Sequence, residues 1–130
     1  MVNTHKKCDA LKLLMEYRPT LWRKSALEAV SGHNSKSHSA CVEQIKLTRE
    51  LIESLKSDER LGVKLYWVIF ATFMTDKQPL DIDEILAVID AKYEHIPRRT
   101  YFRLKKRAIE MLGNRMTEMA KHSFHEKIAI

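Results

Sequence analysis

At 130 residues, 45% of them apolar, the chain has material for one compact domain, or a small domain with a helical extension, and little to spare. Three glycines and three prolines leave so few breaks that an all-α fold is expected. The net charge of +6 and isoelectric point near 9.4 suggest a polyanionic partner. No run approaches the roughly 18 apolar residues of a membrane span.

Cys8 and Cys41 are lone cysteines without C-x-x-C spacing, and no apolar signal region opens the chain. Both features lead to an expectation of reduced thiols and a cytoplasmic location.

Taken in order, Met1–Lys7 is polar, and Cys8, Leu11 and Leu14/Met15 form a short apolar stripe. Arg18-Pro19 is expected to interrupt it, since the residue before proline avoids the α region. Thr20 then caps a second helix bearing Leu21, Trp22, Leu27 and Val30. Ser31–Ser39 reads as a linker, so the first forty residues form a helical hairpin and a loop. A longer helix is expected from about Ala40 to Lys56, with Ile45, Thr48, Ile52 and Leu55 along one side and Leu47 and Leu51 beside them. This stripe either closes a bundle within the chain or pairs two subunits as a homodimer.

Ser57-Asp58-Glu59 is a cap signal, and Leu61–Met74 is the most apolar segment, expected to be the central buried helix. Thr75–Pro79 breaks it. Asp81 stands three residues before Glu84, the spacing of a capping box, and Ile82, Ile85, Leu86 and Ile89 make an amphipathic helix to about Tyr93. Glu94-His95-Ile96 is a short connection to a basic helix. Gly113-Asn114 is then expected to stop the chain's last long helix.

The basic helix is the feature with functional content. Between Arg98 and Arg107 stand six basic residues and no acid. Pro97 suits the first turn of a helix. Tyr101, Leu104, Ala108 and Met111/Leu112 share a core-facing side. Arg98, Arg99, Phe102, Arg103, Lys106 and Arg107 then point outward. A cationic helix that fits a major groove accounts for this arrangement more economically than one lying on a membrane, because its narrow apolar stripe is needed for the core. A short connection between two helices of this size, the second basic, is the helix-turn-helix pattern.

From Asp58 to Met116 the chain resembles the C-terminal part of ArpU/RinA-type transcriptional regulators of bacteriophages and prophages. More distantly it is similar to the helix-turn-helix of region 4 of bacterial sigma factors. The shared positions are Leu80, Glu84, Ile85 and Leu86, followed by Ile96, Pro97, Arg99, Thr100, Arg103, Leu104, Lys106, Arg107, Ala108 and Ile109. Pro97 departs from the Ser or Thr usual there. The resemblance covers under half of the chain. It implies a DNA-binding regulator acting at promoters, an activator of late (lysis or packaging) genes, with host RNA polymerase as a partner and the bacterial nucleoid as its place of work. It divides the chain into an N-terminal hairpin and long helix (1–57), a helix-turn-helix domain (58–116) and a C-terminal tail (117–130).

Arg98 and Arg99, at the helix start, are placed to reach base edges of double-stranded DNA. Thr100 either bonds a phosphate or helps to cap the helix. Arg103 and Lys106 meet bases or phosphates, and Lys105 and Arg107 phosphates. Phe102 either meets a thymine methyl or lies under the C-terminal tail. His33 and His38 share the linker and His122 and His125 the tail, but no zinc-binding spacing occurs, so neither metal nor cofactor is expected. No glycine-rich phosphate loop, nucleophile elbow or carboxylate pair in a plausible pocket points to an enzyme. Two alternatives remain: a small terminase-like packaging protein, which would form a large ring, and a sigma-like adaptor whose basic helix meets a protein.

Overall fold

The computed structural model describes residues 4–33, 35–75 and 80–128, with side chains between Asp9 and Met119 of those ranges. Helix α1 (Thr4–Met15) and helix α2 (Tyr17–Ser31) are separated by one residue. Glu16 itself has right-handed helical backbone angles (φ −83°, ψ −7°), and its carbonyl accepts from Thr20 N–H at 3.0 Å. The chain therefore passes from α1 to α2 through a single residue of helical backbone, with no loop between them. Pro19 falls in the first turn of α2, where a missing N–H costs nothing. Thr20 is not a cap but a buried residue of that helix. Of the apolar residues that α2 carries, Leu21 lies partly buried against the core, whereas Trp22 is 50% and Val30 85% exposed.

Helix α3 (Lys36–Glu53) begins four residues before the expected start. Ser35 is its N-cap, accepting from His38 N–H at 3.0 Å, so the linker shrinks to a turn around Gly32. That glycine has φ 75°, a left-handed conformation that side chains with a Cβ seldom adopt. Ile45, Thr48, Leu51, Ile52 and Leu55 are all buried, so the α3 stripe packs within its own chain. Leu47 is the member left exposed.

A 3-10 turn (Ser54–Ser57) leads through Asp58 to helix α4 (Gly62–Ile69), which widens into a π-helical turn (Phe70–Met74). Asp58 accepts from the N–H groups of Arg60 (2.9 Å) and Leu61 (3.1 Å). These two bonds hold its carboxyl below the ordinary value of 3.8. Leu65, Val68, Ile69, Ala71, Phe73 and Met74 are buried, making this the expected central segment.

Helix α5 (Ile82–Lys92) carries the capping box in full. Asp81 accepts from Glu84 N–H at 2.8 Å, and Glu84 accepts from Asp81 N–H at 3.2 Å. Helix α6 runs from Arg98 to Ile128 without interruption, so Gly113-Asn114 does not stop it and 117–128 continues the helix. A glycine ends a helix by turning left-handed at the cap, and Gly32 is the only glycine with positive φ among the described residues. Left in helical geometry, Gly113 costs only about 1 kcal/mol relative to alanine, and α1 packs along α6.

The buried apolar cluster takes members from Ala10 and Leu14 of α1 through to Leu112 of α6, drawing on both sides of residue 57. Across that position Arg115 of α6 donates to Ser54 O at 2.6 Å and Ser57 Oγ at 3.2 Å. Among the described residues no helix is long and apolar enough to cross a membrane.

Candidate nucleic-acid interface

The approach to α6 is set by two buried anchors. Ile96 is buried on its N-terminal side, and Tyr101 N–H donates to Pro97 O at 2.9 Å, closing the first turn. Tyr101 itself is only 1% exposed. Its hydroxyl lies 2.7 Å from Thr72 Oγ1, and burial raises its phenol above the usual value, so it stays neutral. Thr72 Oγ1 also donates to Val68 O at 2.7 Å, which leaves Tyr101 the donor of the pair. Leu104, Ala108 and Leu112 follow Tyr101 into the core. This side of α6 is thus fixed in rotation against α4.

The opposite side is fixed as a consequence. Arg98, Arg99, Phe102, Arg103, Lys106 and Arg107 are exposed, while Thr100 and Lys105 are half-buried. The cations span ten residues, about 14 Å from first to last at a rise of 1.5 Å per residue, comparable to the roughly 12 Å width of a B-DNA major groove. Among the described residues none of Arg98, Arg99, Arg103, Lys105, Lys106 and Arg107 has an ion pair within 4.0 Å. The Asp58 carboxylate feels the charges of Arg107 and Arg115, and Glu110 follows Arg107 by three residues on α6. Acids at the end of α5 are engaged elsewhere: Glu94 with Lys64 at 3.0 Å and Asp90 with His95 at 4.0 Å.

Two of the named residues differ in setting. Lys105 extends its ammonium to 5.8 Å from the centroid of the Phe73 ring, which ties it to the scaffold more than its flanking position suggested. Phe102 is 49% exposed and makes an edge contact with Tyr101. It stands at the rim of an apolar cleft with Met15, Phe73 and Ile82, not under a tail.

A residue that sequence reasoning passed over supports this face from behind. Arg18 of α2 is only 7% exposed. It donates from Nε to Thr75 O (2.8 Å) and from Nη2 to Thr72 O (3.2 Å) and Thr75 Oγ1 (2.7 Å). Its guanidinium therefore caps the C-terminal end of the π turn that carries Thr72, the partner of Tyr101. Desolvation by burial lowers its pKa from the ordinary guanidinium value. The only hint in the sequence was an arginine beside a proline.

No family model, curated protein or solved structure matches the chain.

Proposed function

We propose that this protein is a sequence-specific, double-stranded-DNA-binding transcription regulator, with α5, the Tyr93–Pro97 connection and the first three turns of α6 acting as a helix-turn-helix. The observation that carries the reading is the exposed cationic side of α6 from Arg98 to Arg107, unaccompanied by acids and locked in rotation by buried Tyr101, Leu104 and Ala108. Arg98 and Arg99 lead into the groove and read bases; Arg103 and Lys106 contact bases or phosphates; Lys105 and Arg107 contact phosphates, with Thr100 beside them. Phe102 offers an apolar contact of the kind that meets a thymine methyl. The phage or prophage setting, activation of late genes, host RNA polymerase as partner and nucleoid association rest on the resemblance of residues 58–116 alone.

The test is an anisotropy titration of labelled DNA from upstream of the associated gene block, at two salt concentrations and with random DNA as competitor. Neutralisation of about five phosphates predicts a slope of log affinity against log salt of roughly −4.5, so a fourfold rise in salt weakens binding several-hundredfold. Binding that survives the competitor supports a sequence reader, and Arg98→Ala with Arg99→Ala should then lower the ratio of specific to random affinity by about tenfold or more. Binding erased by the competitor, or indifferent to salt, refutes the proposal.

A further inference from the structure

The turn between α2 and α3 gathers three potential ligands remote in role from the basic face. Glu28 lies in the last turns of α2, His33 follows the left-handed Gly32, and His38 occupies the first turn of α3. His38 Nε2 is 2.9 Å and His33 Nε2 3.7 Å from Glu28 Oε1. One ligand-type atom from each of the three residues lies within 4.8 Å of the others. His38 is buried, with 7% of its side chain exposed, whereas the side chain of His33 is 74% exposed. The two rings meet edge to face with centroids 5.2 Å apart.

We propose that Glu28, His33 and His38 form a binding site for a borderline transition-metal dication of the zinc type, which clamps the end of α2 to the start of α3.

Four-coordinate zinc bonds histidine nitrogen and carboxylate oxygen at about 2.0–2.2 Å, which sets donor atoms roughly 3.3–3.5 Å apart. The separations of 2.9 and 3.7 Å from Glu28 Oε1 bracket that range, and with all three ligand atoms within 4.8 Å of one another loading draws the exposed His33 ring inward to close the third edge. Two imidazoles and one carboxylate select zinc, nickel or cobalt over magnesium and calcium, which prefer all-oxygen shells. The exposed side at His33 leaves the fourth position to water. The Glu28 carboxylate is held ionised, down to about 2, by hydrogen bonds from Lys24 and His38. Beside that ionised group His38 Nε2 is the donor, so taking up a metal there moves the ring proton to Nδ1. Lys24 Nζ, 2.7 Å from Glu28 Oε1, competes for the same oxygen and weakens the site below closed cysteine sites.

The test uses the full chain and zinc alone, in competition with a chromophoric zinc chelator. One zinc per chain is expected at micromolar free metal. His33→Ala and Glu28→Gln should each weaken binding about tenfold or more, as even outer-shell changes at metal sites do. Lys24→Met should strengthen it, and His122→Ala with His125→Ala should leave it unchanged. The exposure of His33 means that its variant keeps the fold, which circular dichroism verifies. Absence of zinc binding, an affinity that His33→Ala leaves intact, or one that the His122/His125 variant removes would overturn the proposal. None of these outcomes bears on DNA binding.

Discussion

Replacing Arg18 by methionine tests how the scaffold behind the basic helix is held. Buried ionic groups can often be exchanged for apolar ones at little cost, because desolvation of the charge offsets the bonds it makes. Arg18 differs in that its partners are the carbonyls of Thr72 and Thr75 and a threonine hydroxyl. Those carbonyls end a helix and keep their need for a donor when the guanidinium is gone. Each bond to a charged donor contributes about 1.5–3 kcal/mol, and leaving a buried acceptor unmade costs about 1–3 kcal/mol. Water reaches the half-buried threonines and recovers part of this, and the relief of desolvating the guanidinium recovers more. The net expectation is a loss of about 2–3 kcal/mol, or roughly 6–12 °C in melting temperature for a chain of this size. Methionine fills the space of the arginine stem, so the loss reports on the polar bonds and not on a cavity. Arg18→Lys should recover less than half, because an ammonium lacks the fork that reaches two carbonyls at once. Urea denaturation of the three proteins measures this. An Arg18→Met variant within about 0.5 kcal/mol of the parent, the range of ordinary surface changes, would refute the reasoning.

Gly62 opens α4 where a Cβ would meet the Leu55 carbonyl oxygen, and would stand 2.9 Å from the Lys56 carbonyl carbon. Both are backbone and cannot swing away, so Gly62→Ala should lose about 2 kcal/mol in urea denaturation despite alanine's better helix propensity; equal stability would mean that the 3-10 turn yields. Asp58 supplies a pH-dependent share of stability. Its folded-state pKa lies below 3.8, so the contribution is complete above that value and fades as pH falls through the folded one. The advantage of the parent over Asp58→Asn should therefore shrink between neutral pH and about pH 3; a constant difference across that range would contradict the assignment.

Helical periodicity identified burial well. The α3 stripe, the Leu61–Met74 core and the Tyr101–Leu104–Ala108 face are buried as the apolar spacing required, because each depends only on which side of a single helix faces inward. The Asp81–Glu84 capping box is equally local. What the sequence hid depends on where helices meet. Arg18 and Thr72 are 54 residues apart, and no periodicity in α2 marks an arginine whose partners are backbone oxygens of another helix. Glu28, His33 and His38 converge because Gly32 turns left-handed and Ser35 starts α3 early, while no recognised zinc-motif spacing marks them in the sequence. Pro19 and Gly113 misled for a common reason. Each residue breaks a helix only in certain positions, and here proline sits in a first turn and glycine keeps helical angles.

The basic face carries a cost in the free protein, and that cost can be measured. Arg103 has Arg99 four residues before it and Lys106 and Arg107 three and four residues after, so like charges neighbour it on both sides. Each such pair at helical spacing destabilises by roughly 0.2–0.5 kcal/mol. The first turn of α6 contains no acid, and Arg98 and Arg99 stand at the positive end of the helix dipole, where cations are unfavourable. Among the described residues no ion pair within 4.0 Å relieves Arg98, Arg99 or Arg103. Arg103→Gln should accordingly raise stability by about 0.5–1 kcal/mol at low salt, with the gain shrinking as salt screens the repulsion. The same variant should weaken DNA binding and flatten its salt dependence by about one unit of slope. Urea denaturation and anisotropy on one preparation read both effects. A stabilised variant that binds DNA less well means that the cations are kept for a ligand and not for the fold. If Arg103→Gln instead lost stability, the arginine would have a partner inside the chain, and the argument from an unopposed cationic face would fail.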